Sequence, residues 1–454
     1  MTETDAAAWL CTADAVRNRA HAVLALAEAG RLAHFTVDMA RLDDAAAYVA
    51  SVVRGAYPDL RIPHHARWRH FSAGGVDRWG PLGTALAGLG ADEVARARVE
   101  LCVVSVLLDA GAGPDWRYVE PGTGMVLARS EGLAVASLRA FEAGLFASQG
   151  GMRADAAGLM RIDAAALARV FAVDDGNPMP GLEGRAALLR GLGAALLARP
   201  DVFGRDDPRV GGLYDHALLL KPSPSGKGLG EGGPTSGNLG APGRPAKSSK
   251  GFARHPDPFP GGEGEGRQVS ARDILASVLD GFGSVWPART VLAGRSLGDV
   301  WRHPDLPLEA GAPAESAGLV PFHKLSQWLT YSLIEVFEEA GVAVTGLEAL
   351  TGLPEYRNGG LFLDLDVLRL RDPGLADAEL PPGHPAVIEW RALTVALLDR
   401  IAPPLRARLG RDEAALPLSR LLEGGTWAAG RQIAAERRAD GGPPLRILSD
   451  GTVF

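Results

Sequence analysis

Apolar residues recur along most of the chain at intervals of three and four, the spacing of a helix that turns one face to a core. Thr12 is placed to cap a helix over 13–29 that Gly30 closes, and Asp92 to cap one running to Leu108 before Gly111. Ser130 is placed to cap 131–146, where Leu133, Val135, Leu138, Phe141 and Leu145 carry the apolar rhythm. The same reading predicts helices over 163–171, 185–198, 271–279, 323–340, 386–409 and 416–438, rich in the good helix formers Ala, Leu, Arg and Glu. Alternation of period two is confined to short pieces such as 361–365 and 445–448. The expected fold class is therefore mainly α: a single large helical domain formed by two parts, 1–220 and 269–454.

Between those parts the pattern stops. Residues 221–268 hold 13 Gly, 8 Pro and 5 Ser in 48 positions, with only Leu229, Leu239, Phe252 and Phe259 as large apolar residues. Such a stretch has too little to bury to offset its ordering entropy, so a disordered low-complexity insertion is expected. A formal G-x-G-x-x-G at 228–233 has neither a strand before it nor a helix after it, which removes the dinucleotide-loop reading.

Charge and cysteine content narrow the class further. With 47 Lys+Arg against 54 Asp+Glu the net charge is −7, which argues against a nucleic-acid surface. Cys11 and Cys102 alone cannot make a disulfide framework or a cysteine zinc site. The opening MTETDAAAWL lacks the basic and apolar regions of a signal peptide, and apolar runs such as Cys102–Leu108 fall short of the ~20 residues that span a bilayer. A cytoplasmic protein without membrane partners is expected.

Four segments concentrate polar and aromatic side chains. RIPHHARWRHF at 61–71 sets Arg67, Arg69 and His70 around Trp68 after a proline turn, suited to phosphate or carboxylate and equally to Arg–Trp packing. Asp109 ends an apolar helix, where the dipole disfavours an anion, so a raised pKa or a bound partner is expected; Arg129 and Glu131 flank Ser130 shortly after. In VPFHKLSQWLTY at 320–331, helical spacing puts Lys324, Gln327 and Tyr331 on one face with Trp328 beside them. In TGLPEYRNGG at 351–360, Pro354 and Gly359-Gly360 frame Glu355, Tyr356 and Arg357 on an expected rigid loop, a favoured place for reacting groups. Gly424-Gly425 either opens an anion-binding helix end or allows tight packing, and the terminal SDGTVF is expected to dock on the body.

These segments resemble the uracil catabolism protein 4 family of pyrimidine degradation. The resemblance runs through RIPHHARWRHF (61–71), VVSVLLDAGAG (103–113), RSEGLAVAS (129–137), GRSLGDVW (294–301) and LVPFHKLSQWLTYSLIE (319–335). It continues in LTGLPEYRNGGLF (350–362), HPAVIEWRALTVALLD (384–399), EGGTWAAGR (423–431) and SDGTVF (449–454), and leaves out only the insertion. A second, local similarity is to queuosine-nucleotide salvage glycosidases, in the order Pro-Phe-x-Lys-x-x-Gln followed by a carboxylate-Tyr-Arg. It falls on Lys324, Gln327, Glu355, Tyr356 and Arg357, with Glu in place of Asp, one methylene longer. That similarity implies kinship in fold with helix-hairpin-helix DNA glycosylases.

Together the resemblances imply a hydrolase of an N-glycosidic bond that releases urea from ribosylurea or its 5′-phosphate, a small nucleotide-derived substrate. Glu355, Lys324 and Asp109 are the expected catalytic residues. Arg67, Arg69, His70, Arg129, Glu131, Gln327, Tyr331, Tyr356 and Arg357 are the expected substrate contacts. No cofactor and no metal are expected. The alternative is a non-catalytic scaffold or regulatory partner of the pathway's ring-opening enzyme.

Overall fold

The structure, a computed structural model, describes residues 1–109, 111–113, 115–220, 266–286 and 290–448. It is dominated by helices, and the strands are short and paired in twos. The three central helices are Ala91–Leu107, Lys324–Glu339 and Pro385–Leu409. Ala91–Leu107 is buried almost all round from Ala95 onward, as an apolar helix without a polar stripe must be. It packs against Lys324–Glu339, while Ala13–Glu28 and Leu42–Ala56 pack along Pro385–Leu409. One continuous cluster of buried side chains, from Val16 and Val103 to Ile334 and Leu397, draws on both sides of the expected insertion.

Most of the expected insertion, 221–265, lies outside the described residues, as does the tail at 449–454. The folded body has resumed by its far edge. Gln268–Ser270 is a strand parallel to Ala343–Thr345, and the Arg267 guanidinium pairs with Asp92 at 2.7 Å.

Several element ends differ from expectation because tertiary partners take the capping side chains. Asp92 binds Arg267 and the Tyr214 hydroxyl, so its helix starts at Ala91 behind Gly90. Ser130 turns to Asp109, so that helix runs Arg129–Glu142 and stops before Gly144, whose φ of 74° breaks it. The expected strand at 361–365 is helical: Tyr356–Asp364 is a single helix that includes Gly359 and Gly360. A Cβ on Gly359 would lie 2.7 Å from Trp390 Nε1, so this glycine serves close helix approach rather than a turn. The expected helix 416–438 is interrupted, with a π-helical turn Leu422–Thr426 between Leu418–Leu421 and Trp427–Arg437. Within that turn a Cβ on Gly424 would meet Tyr57 and Ile62 at 2.9 Å, so the Gly-Gly pair is used for packing.

Candidate active site

The strand Leu319–Pro321, antiparallel to Val300–Arg302, delivers the chain to the helix that begins at Lys324. His323, between them, is left-handed (φ 48°, ψ 39°), a conformation few non-glycine residues adopt, and its Nε2 donates to the Leu10 carbonyl at 2.8 Å. The Lys324 amide donates to Asp299 Oδ2 at 3.2 Å, and Arg391 grips the same carboxylate with bonds of 2.8 and 2.7 Å. Burial works to raise the Asp299 carboxyl pKa, but the Arg391 guanidinium outweighs it and holds the value at about 2.

A depressed carboxyl adds stability above its unfolded pKa of about 3.9 and loses it as pH falls toward 2, here about 2 kcal/mol. Asp299→Asn is therefore expected to be less stable than wild type at pH 7 and to lose less between pH 5 and 2.5. Urea unfolding at the two pH values checks this, and equal losses in both proteins would refute it.

The clamp fixes the helix end that carries Lys324. Burial pushes the lysine's pKa down, while Glu355 and Asp109 pull it back up. Its Nζ lies 5.7 Å from the centre of the Trp328 ring and makes no hydrogen bond or ion pair among the described residues. Glu355, 8% exposed, is the N-cap of Tyr356–Asp364, its carboxylate accepting the Arg357 N–H at 2.8 Å and the Asn358 N–H at 2.5 Å. Burial raises the Glu355 pKa against those donors and the charges of Lys324 and His65. Asp109, just past the end of Ala91–Leu107, pairs with Arg67 at 3.1 Å and accepts the Ser130 hydroxyl at 3.2 Å; burial raises its pKa too.

Trp328 is the shared wall. The Arg67 guanidinium lies 5.6 Å from its ring centre, His70 meets it edge-on at 5.8 Å, and His65 is tilted against it at 6.4 Å. Trp328 Nε1, His70 Nδ1 and Gln327 Oε1 are buried without a hydrogen-bond partner among the described residues. Burial and the neighbouring Arg67 push His70 well below the ordinary histidine range, so it stays neutral near pH 7.

The remaining expected contacts divide. Arg129, exposed and held at φ 50°, and Tyr356, 42% exposed, are electrostatic neighbours of each other on the rim. Glu131 meets Arg431 at 3.6 Å. Arg67 is wholly buried and committed inward, with Nε on Ser105 Oγ at 2.8 Å and Nη1 on the Ser130 carbonyl at 3.3 Å. Its guanidinium is thus occupied by Ser105, Ser130 and Asp109. Arg69 turns to Glu335, and Arg357 donates to the Gly441 carbonyl at 2.7 Å. Tyr331 is buried, its hydroxyl donating to the Thr351 carbonyl at 2.7 Å, while the Gln327 amide donates to Thr351 Oγ1 at 3.0 Å. Both therefore brace the Thr351 segment that leads to Glu355.

Asp299, Arg391, His65 and Glu423 were not singled out from the sequence. They stand inside segments whose spacing carries no sign of pairing, since 92 residues separate Asp299 from Arg391 and 358 separate His65 from Glu423. Among the described residues no cluster of His, Cys, Asp and Glu is arranged to hold a metal ion, and no helix is long and apolar enough to cross a membrane.

A family described as "Protein of unknown function (DUF1688)" matches residues 9–229 and 236–454. Uracil catabolism protein 4 of Lachancea kluyveri is 36% identical over 447 residues, covering 93% of this chain and 92% of that protein. Protein urg3 of Schizosaccharomyces pombe is 36% identical over 461 residues, covering 99% and 100%. With this similarity at full length, the chain belongs to the uracil catabolism protein 4 family.

Proposed function

We propose that this protein acts in pyrimidine catabolism as an N-ribosyl hydrolase, releasing urea from ribosylurea or its 5′-phosphate. The pathway part of the reading is supported by the name of the Lachancea kluyveri relative, Uracil catabolism protein 4. The chemical part is supported by one observation above all: a half-buried Lys324 ammonium, unpaired among the described residues, that interacts electrostatically with the buried carboxylates of Glu355 and Asp109. An unpaired buried charge is costly, and a ligand that supplies its partner compensates the cost.

In this reading urea leaves C1′ as positive charge builds on C1′ and the ring oxygen. The Glu355 carboxylate stabilises that charge and directs water to C1′. Lys324 binds oxygen atoms of the sugar or its phosphate, Asp109 faces the ribose hydroxyls, and Arg129 and Tyr356 stand where substrate enters. A scaffold would be served by polar groups spread over an outer face; here Lys324, Glu355, Asp109, Arg67, His65 and His70 are joined in a chain of electrostatic neighbours, each buried or half-buried.

The purified protein given ribosylurea 5′-phosphate is expected to release urea and ribose 5-phosphate. Lys324→Met is expected to slow release about 100-fold or more, with Tm unchanged or raised, because a half-buried, unpaired charge is replaced by an apolar chain of similar length. Colorimetric urea assay and thermal melting check both halves. Urea release by Lys324→Met at the wild-type rate would remove the lysine from the mechanism, and no release by wild type would remove the hydrolase.

A further inference from the structure

A ribosylurea cannot lose urea as an anion at a useful rate, so the hydrolase reading requires a group that hands the departing nitrogen a proton. Glu355 is engaged as an acceptor by two backbone N–H groups, and Asp109 is held by Arg67 and Ser130. Resting on that reading, we propose that His65, oriented by Glu423, is the general acid of the site.

His65 is buried just before the short turn Trp68–Phe71, and its backbone N–H donates to the Ser419 carbonyl at 2.9 Å. Its ring lies between two indoles, 6.4 Å from the Trp328 centre and 5.5 Å from that of Trp427. Nδ1 is 2.7 Å from Glu423 Oε2, and the two side chains are only 7% and 14% exposed. That contact fixes which ring nitrogen is spent on orientation. Nε2 makes no hydrogen bond among the described residues and is left as the nitrogen that meets a ligand. A carboxylate on one ring nitrogen with the other directed at the substrate is the arrangement that lets imidazole move a proton.

The position fits the site already described. The charges of both Glu355 and His70 respond to His65, so the ring stands within electrostatic reach of the carboxylate that faces C1′. Glu423 belongs to the π-helical turn Leu422–Thr426, where Thr426 Oγ1 is also buried without a hydrogen-bond partner among the described residues. Single π-turns inside helices gather at functional sites because the wider turn re-aims a side chain that a regular helix would point elsewhere.

The step balances as follows. The C1′–N bond breaks with its electron pair passing to the urea nitrogen, which takes the proton from His65 Nε2. Water oxygen bonds to C1′ and gives a proton to the Glu355 carboxylate. Solvent returns that proton to His65, so the net change is ribosylurea 5′-phosphate plus water to urea plus ribose 5-phosphate.

The test compares two leaving groups on full-length protein. Ribosylurea 5′-phosphate needs a proton donor; 4-nitrophenyl riboside 5′-phosphate does not, because nitrophenolate leaves unprotonated. His65→Gln is expected to slow urea release about 100-fold or more while nitrophenolate release stays close to wild type, which also certifies the fold. Glu423→Gln is expected to show the same bias to a smaller degree. Equal loss with both substrates would give His65 a structural role and overturn the assignment, as would undiminished urea release. The bias appearing in Asp109→Asn instead would overturn it in favour of Asp109. If wild type releases nitrophenolate and urea from neither substrate, the hydrolase reading fails and this assignment with it.

Discussion

Glu355→Gln is expected to cut urea release about a thousandfold or more and to leave the fold intact. The two effects separate because the carboxylate has two duties. As N-cap it accepts the backbone N–H groups of Arg357 and Asn358, a duty the amide oxygen of glutamine takes over in part. In the proposed reaction it is the negative group that faces C1′ and offsets positive charge, which a neutral amide cannot do. Glu355→Ala confounds the two, since losing the cap alone costs about 0.5–2 kcal/mol and frees the first turn of Tyr356–Asp364. Glutamine is therefore the informative change, read by urea assay beside a thermal melt. A Glu355→Gln protein that turns over at the wild-type rate would reduce this carboxylate to a helix cap.

Arg67→Met is expected to destabilise the protein by about 3–5 kcal/mol, the usual consequence of removing one partner from a buried ion pair. The methionine fills part of the space, but the Asp109 carboxyl loses the cation paired with it and keeps only the Ser130 hydroxyl and the more distant charge of Lys324 to offset its burial. Ser105 Oγ and the Ser130 carbonyl lose their donor as well. Adding Asp109→Asn is expected to recover part of the loss, because the stranded charge is then gone. Urea unfolding of the single and double variants at pH 7 measures the coupling. A loss below about 1 kcal/mol for the single variant would mean that the Arg67 network contributes little.

The contrast between Arg67 and Lys324 shows what was legible beforehand. Both were marked as cations in aromatic surroundings, and residue type alone does not tell a guanidinium consumed by Ser105, Ser130 and Asp109 from an ammonium that is not. That distinction is made by chain segments brought from far away. The long helices were legible because their apolar period is unbroken, as at Ala13–Glu28 and Pro385–Leu409. The helix carrying Glu355 was missed because Leu361, Phe362 and Leu363 read as a short apolar strand. Its N-cap is moreover a glutamate rather than one of the shorter polar residues that usually announce a helix start. His65 was seen within its cluster but not chosen, since nothing local distinguishes it from His64, which binds Ser419 Oγ at 2.6 Å, or from His70. The Gly-Gly-Thr of the π-turn was the available signal.

That π-turn also bears on how the chain tolerates insertion and deletion. A π-turn carries one residue more than the α-turn it replaces, and each residue rotates a helix by about 100°. Because the wide turn absorbs that extra residue, a one-residue deletion within 422–426 would close it to an α-turn and leave the direction of Trp427–Arg437 nearly unchanged. A deletion within 427–429 would instead turn the rest of that helix by more than a quarter circle. Gly430 would then leave its seat, where a Cβ would come within 2.1 Å of the Arg357 carbonyl oxygen, and a bulkier neighbour would be driven against the helix that Glu355 caps. Length between Trp427 and Gly430 is thus constrained more tightly than composition, while the π-turn before it has one residue to spare. A single-residue deletion there would drive Trp427–Arg437 against the helix that Glu355 caps.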